Sequence, residues 1–368
     1  MVSRDSAFPY ISEEECQSLA NETFNLMVKK FCNGVFYCSE NHGREPFTST
    51  HYGEEYDSTL EFIPDKRIYP LENILATLVS AKLTNRDVAH RFMTLTLMNF
   101  LNKEKKLIEH PKYEWYENFY VRQIEEDSRS EKHGHYTNPI FQGDFHLEDN
   151  VWAIIAASAA GLDEIAKELC CSVKKAFFDS KSNRFMSQIS TGEFDSIGMG
   201  KRILYDNALA TLALYSMGDV DAKPHAEMII MPIDKGGFLN KDNRFRWTCQ
   251  DKDATNALVA LMLYFLDNEN KELIEQVKER EKEQMRLRVL ESPWDTKWNF
   301  EDFFRICSLN MMGERDFSRY LLSKIRDSRG ASIDSPEVYA MQAIAYSGKP
   351  LFPEPTKYAL QKITTQLY

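Results

Sequence analysis

The feature that most constrains this chain is a pattern met four times: an Asn, with an acid beside or just before it, opens a run of small and apolar residues. It stands as "LEDNVWAIIAASAAG" from Leu147, "RILYDNALATLALYSMGD" from Arg202, "DKDATNALVALMLYFLDN" from Asp251 and, more loosely, "PLENILATLVSAKL" from Pro70. Ala and Leu fall on nearly every face of these runs, which predicts helices buried all round. In "DNALATLALYSMGD" the run is flanked by Asp206 and Gly218, a start and a stop.

Each run is followed by an amphipathic partner. "DNVWAIIAASAAG" leads to "LDEIAKELCCSVKKAFF", "LENILATLVSAKL" to "NRDVAHRFMTLTLMNFLN", and "ATNALVALMLYFLDN" to the charged "KELIEQVKEREKEQMRLRVL", read as a solvated outer helix. Two weaker units follow, "NFEDFFRICSLNMMG" and "SPEVYAMQAIAYSG", the latter with Pro in its first turn. Six units thus start near Asn73, Asn150, Asn207, Asn256, Asp302 and Glu337, unevenly spaced, so insertions fall in loops. The stretch from about 104 to 144 is the largest of these. An amphipathic helix over about 12–31 is one more outer element, placed to close the circle.

Apolar helices wrapped by amphipathic ones bury both sets when arranged as two concentric rings. The expectation is all-α: a single (α/α)6 toroid of helical hairpins over residues 1–368, with short β-hairpin or loop insertions. The length alone allows two domains, but no Pro- or Gly-rich linker divides the chain.

A net charge of −11, spread along the chain, argues against a surface that tracks phosphates, so nucleic acid is not an expected partner. Seven Cys, with no metal-site spacing, fit reduced thiols. No run of 18 apolar residues and no signal-peptide core occurs, which predicts a soluble, cytoplasmic protein without a transmembrane segment. P-loop, dinucleotide and G-x-S-x-G motifs do not occur either. No cofactor and no metal are expected.

In a toroid the inner helices run parallel, so their N-termini share one face, where the partial positive charge of each helix start favours an acid. Neighbouring inner helices ~8 to 10 Å apart bring such carboxylates towards the ~5 to 9.5 Å separations of glycoside chemistry. The candidate catalytic residues are therefore Asp149, Asp206, Asp253 and Glu148, one carboxyl holding a proton opposite an ionised partner. His146, Asn150, Trp152, Arg202, Tyr205, Asn207, Trp247, Trp298 and Glu301 surround them as candidates for binding a polyhydroxylated ligand, aromatic faces meeting sugar C–H groups and polar groups giving direction. An Asp at a helix start is first of all a cap, and a Trp first of all a core residue; the functional reading draws its weight from the whole set.

"LEDNVWAIIAASAAGLDEIAKELCCSVKKAFFDSKSNRF" and "ILYDNALATLALYSMGD" resemble the helical domain of the thioredoxin-domain, spermatogenesis-associated type proteins, which belongs with the six-hairpin glycosidases and is similar in plan to the N-acylglucosamine 2-epimerases. The resemblance covers roughly Gly143 to Asn268. It implies a ligand site at the funnel mouth, where Glu148, Asp149, Tyr205 and Asp206 fall, and a carbohydrate-active enzyme, a glycoside hydrolase or a sugar epimerase or isomerase. The thioredoxin-like C-x-x-C domain has no counterpart here, and the paired catalytic His of the epimerases has no clear match in the sequence.

"DKDATNALVAL" is more weakly similar to the D-x-D-D-T-A segment of class II terpenoid cyclases, also α/α barrels, which would make Asp253 a proton donor to an isoprenoid; Ala254 stands where the final Asp belongs. Prenyltransferase-type zinc chemistry would need a His downstream of Cys249 and Asp251, and none matches. A non-catalytic binding or scaffold toroid is the third reading.

Overall fold

The computed structural model describes residues 11–37, 67–83, 86–113, 115–121, 130–136, 139–190, 204–230, 254–266, 271–291, 298–327 and 335–352. Twelve helices lie among them: α1 Glu13–Phe31, α2 Pro70–Leu83, α3 Arg86–Phe100, α4 Leu147–Ala159, α5 Asp163–Phe177, α6 Leu204–Ser216, α7 Ala222–Ile230, α8 Thr255–Leu266, α9 Lys271–Glu291, α10 Phe300–Met311, α11 Arg315–Asp327 and α12 Pro336–Ser347.

Burial sorts them into two sets. In α6 every residue but Tyr215 is buried, whereas the equally long α11 buries only Ser318, Leu321, Leu322, Ser323 and Ile325. The even-numbered helices form the inner ring: α2 packs on α4, α4 on α6, α6 on α8, α8 on α10, α10 on α12, and α12 back on α2. The small residues of the sequence pattern let these backbones approach, and each Leu, Ile or Phe removed from water contributes roughly 1.5–3 kcal/mol. Three hydroxyls inside the ring are satisfied locally: Thr77 and Thr211 donate to the Asn73 and Asn207 carbonyls one turn back, and Ser308 donates to that of Phe304.

The outer helices follow the expected order, and α1 packs on α12, so the N-terminal helix supplies the outer partner of the last inner one. Ser12 caps it, its hydroxyl accepting from the Glu15 amide at 3.1 Å. At the C-terminal ends of the inner helices Gly161, Gly218, Gly313 and Gly348 follow α4, α6, α10 and α12 with φ between 63° and 91°, the left-handed stop that Gly alone adopts at little cost.

Strands are short and antiparallel. β1 (Cys32–Asn33) pairs with β2 (Val35–Phe36), and β3 (Leu101–Asn102) with β4 (Leu107–Ile108). Within the long insertion β5 (Trp115–Val121) and β6 (Ser130–Tyr136) form the longest ribbon; β7 (Asp144–His146) leads straight into α4. β8 (Phe178–Asp179) pairs with β9 (Arg184–Phe185), and β10 (Gln188–Ser190) pairs with β7.

Three of these hairpins explain the repeated Asn. Asn73 accepts from the Phe36 amide at 2.9 Å and donates to its carbonyl at 3.1 Å; Asn150 does the same to Ile108 at 2.7 and 2.9 Å; Asn207 does so to Phe185 at 2.8 and 3.0 Å. In each case an inner helix grips the second strand of the hairpin that follows an outer helix. The residue before each gripped strand, Gly34, Lys106 or Asn183, has a positive φ, so the hairpins turn alike. In three of the four repeats the Asn of the pattern is a backbone clamp.

Candidate functional site

Once Asn is assigned to the clamp, the acid beside it remains. Glu72, Asp149 and Asp206 occupy the same register, one residue before Asn73, Asn150 and Asn207, and all three are buried. None is the residue that starts its helix. For α4 the N-cap position belongs to His146, whose side chain makes no capping bond, and Asp149 lies within the first turn. The contrast is α10, where Asn299 and Asp302 form a reciprocal capping box and Asp302 also binds Arg288. Asp302 is spent as a cap and Asp149 is not.

Asp149 faces two imidazoles. His110 Nδ1 lies 2.8 Å from Asp149 Oδ2 and His146 Nδ1 lies 3.9 Å from the same oxygen. The two rings stack at 4.1 Å with 19° between their planes, and Tyr69 extends the stack on the far side of His110 at 5.4 Å. His146 reaches this place because β7 runs into α4. His110 reaches it through the clamp: Asn150 holds Ile108, the His110 amide donates to the Asp144 carbonyl at 2.8 Å, and the Glu109 carboxylate between them accepts from Gly143 at 2.6 Å and from Asn102 at 2.9 Å. Tyr69 is positioned by Tyr113, whose hydroxyl both accepts from the Ile68 amide and donates to its carbonyl at 2.8 Å. The imidazoles keep partial access to solvent, 26% for the His110 side chain and 35% for that of His146.

The electrostatics separate the groups. Burial, then Glu337 and to a lesser degree Asp149, pushes the Glu72 carboxyl up to about 8, and burial likewise raises Glu337. Glu72 Oε2 has no hydrogen-bond partner among the described residues, so no donor at that oxygen offsets the burial that disfavours its charge. Burial, helped by His110, pushes the His146 imidazole below its ordinary value against the pull of Asp149. One rim of the ring therefore brings together, from the starts of α12, α2 and α4, two carboxyls whose protonated form burial favours, Glu72 and Glu337, and an imidazole whose neutral form burial favours, His146.

A second group of acids lies across α4, α6 and α10. Tyr205 is fully buried, and burial together with Glu148, Asp206 and Glu301 pushes its phenol well above the ordinary value. Glu301 accepts from the Ala254 amide at 3.2 Å, tying the start of α10 to that of α8. The acidic starts of the inner helices thus meet at one end of the ring.

Of the other expected residues, Trp152 serves the core, edge-on to Phe300 and Phe304 and stacked on Phe352, with no exposed surface. Trp298 is buried beneath the Arg288 guanidinium, 5.6 Å away. Asn150 and Asn207 spend their amides on the hairpins. Asp253, Arg202 and Trp247 lie outside the described residues. Glu72, Glu337 and His110 join the site from positions that the acid pattern at 149 and 206 did not by itself single out. The register of Glu72–Asn73 carried that signal for Glu72; nothing in the spacing marks His110.

The overall arrangement is shared with solved structures. It is similar to the alpha-amylase of Clostridium perfringens (TM-score 0.55, 11% identity, covering 92% of this chain and 99% of that one). It is also similar to cellobiose 2-epimerase of Spirochaeta thermophila (0.57, 10%, 97% and 98%) and to a D-mannose isomerase (0.56, 11%, 99% and 100%). The chain has the fold of the six-hairpin toroids. No family model and no curated protein matches the toroid's sequence. Among its described residues no helix is long and apolar enough to cross a membrane.

Proposed function

We propose that this toroid moves protons on a carbohydrate, isomerising or epimerising a sugar through an enediol. The carrying observation is the hydrogen bond from His110 Nδ1 to Asp149, beside a carboxyl, Glu72, that burial keeps protonated at neutral pH. With the Nδ1 proton directed at Asp149, the lone pair of His110 is on Nε2, the atom free to take a proton from carbon. In the step proposed, His110 Nε2 removes the proton on the carbon next to the carbonyl of an open-chain sugar. The C–H electron pair becomes a C=C bond, and Glu72 delivers its proton to the carbonyl oxygen. His110 then returns the proton to the former carbonyl carbon while the hydroxyl on the neighbouring carbon gives its proton back to the Glu72 carboxylate and becomes the new C=O, which completes the isomerisation and restores both groups. His146 stacks on His110 and orients its ring. Asp149 stabilises the imidazolium that forms between the two transfers. Glu148, Asp206 and Glu301 serve as acceptors for substrate hydroxyls. Structural neighbours that include an epimerase and an isomerase of sugars support this reading.

The test is proton exchange in deuterated water, followed by NMR over a panel of aldoses, ketoses and disaccharides. Deuterium is expected at the carbon next to the carbonyl of one class, and His110→Ala and Glu72→Gln are expected to slow its entry by about 10²- to 10⁴-fold. A sugar that is cleaved with no such exchange, or exchange at equal rates in both variants, overturns it.

A further inference from the structure

The same three side chains have the composition of a metal site. We propose that His110, His146 and Asp149 bind a divalent transition metal of the zinc class at the mouth of the toroid, and that its occupancy switches the proposed proton transfer off. The inhibitory half rests on the reading above; the binding half stands on geometry alone.

The donor atoms, two imidazole nitrogens and one carboxylate oxygen, all lie within 4.8 Å of one another. Ligands at about 2.0–2.2 Å from a zinc ion stand about 3–3.5 Å apart in a tetrahedral or octahedral shell, so the 2.8 and 3.9 Å separations bracket what a bound ion needs. Side-chain rotation would close the wider separations, at most 4.8 Å, to that spacing. The set draws on two separate segments, the end of the β3–β4 hairpin and the β7–α4 junction, each fixed by backbone hydrogen bonds, so the three groups are held ready for an ion. Both imidazoles retain access to solvent, which gives an entry path and leaves coordination positions for water.

Two nitrogens with one oxygen select zinc, cobalt, nickel or copper over calcium and magnesium, which require mostly oxygen donors. Inhibition follows from the atom used. A metal on His110 Nδ1 occupies the position of the proton shared with Asp149 and moves the ring proton to Nε2, so the base required at Nε2 is lost.

The experiment uses the full chain, stripped of metal with a chelator and titrated with Co²⁺ as a spectroscopic stand-in for Zn²⁺. One equivalent is expected to bind with visible absorption of nitrogen–oxygen coordination, to be displaced by Zn²⁺ but not by Ca²⁺ or Mg²⁺, and to weaken at least about tenfold in His110→Ala and in His146→Gln. NMR on the unaltered protein guards against a variant that fails to fold: Zn²⁺ is expected to shift the ring signals of two of the eight His. Absence of saturable binding, equal affinity in both folded variants, or shifts confined to other His overturns the site. Zinc inhibition of sugar proton exchange, reversed by the chelator, supports the switch. Exchange that persists with the site filled overturns the switch and the role of His110 as base, while leaving the metal site standing.

Discussion

His110 Nδ1 lies 2.8 Å from Asp149 Oδ2, although 39 residues separate them in the chain. That single hydrogen bond joins the largest insertion to the start of an inner helix and turns a cap-like acid into the partner of a base. Asp149→Asn keeps a polar side chain of the same size but removes the charge that stabilises an imidazolium. The variant is expected to retain its melting temperature within about 2 °C and to lose about 10²- to 10⁴-fold in sugar proton exchange. Exchange rates within twofold of the unaltered protein would count against the pair.

Glu72 gives the molecule a pH dependence of known sign. Its carboxyl titrates near 4.5 when free in the unfolded chain and at about 8 in the folded one, because burial and then Glu337 disfavour the charge. The folded state therefore binds this proton more tightly. The stabilisation is complete below pH 4.5 and is lost as the pH rises through about 8. Glu72→Gln, neutral at every pH, is expected to be the more stable form at pH 9 by roughly 1–3 kcal/mol and to show little advantage at pH 5. Thermal melts of both proteins across this range measure it, and parallel curves would refute the shift.

The ring of inner helices was legible in the sequence because burial on all sides leaves only small and apolar residues, as in "DNALATLALYSMGD". The common rim was legible from the acids that repeat one residue before Asn. What could not be read was tertiary. His110 enters through a two-stranded hairpin gripped by Asn150, and no local periodicity records such a grip. Trp152 has the composition of a sugar platform, but its position below the first turn of α4 turns it into the core against Phe352. The charged run of α9 reads as solvated, yet Glu281 is wholly buried because its partner, Arg305, arrives from the next inner helix.

The Asn clamp predicts where the toroid opens first. Asn207→Ala removes both bonds to the Phe185 backbone and leaves a buried amide and carbonyl without partners. Such orphaned groups cost about 1–3 kcal/mol each. The loss is expected to be local: hydrogen exchange at the Phe185 amide is to quicken by at least about tenfold while amides in α2 and α12 keep their protection. Uniform loss of protection throughout the ring would mean that the hairpin is part of the global unfolding unit.

The Glu281–Arg305 pair tests how the charged outer helix is held. Arg305 Nε donates to Glu281 Oε2 at 2.7 Å and its Nη2 donates to Gln284 Oε1 at 2.7 Å, joining α9 to inner helix α10 where neither charge can reach bulk water. Removing one member strands the other, so Glu281→Ala and Arg305→Ala are each expected to cost about 3–5 kcal/mol. Replacing both with residues of similar volume, Glu281→Gln with Arg305→Met, avoids the stranded charge and is expected to cost less than either single truncation. Denaturant melts of the four proteins decide the matter. If the paired replacement is the worst, the ion pair contributes net stability beyond what the packing of α9 on α10 supplies; if it is the mildest, most of the loss in each single variant is the charge left stranded.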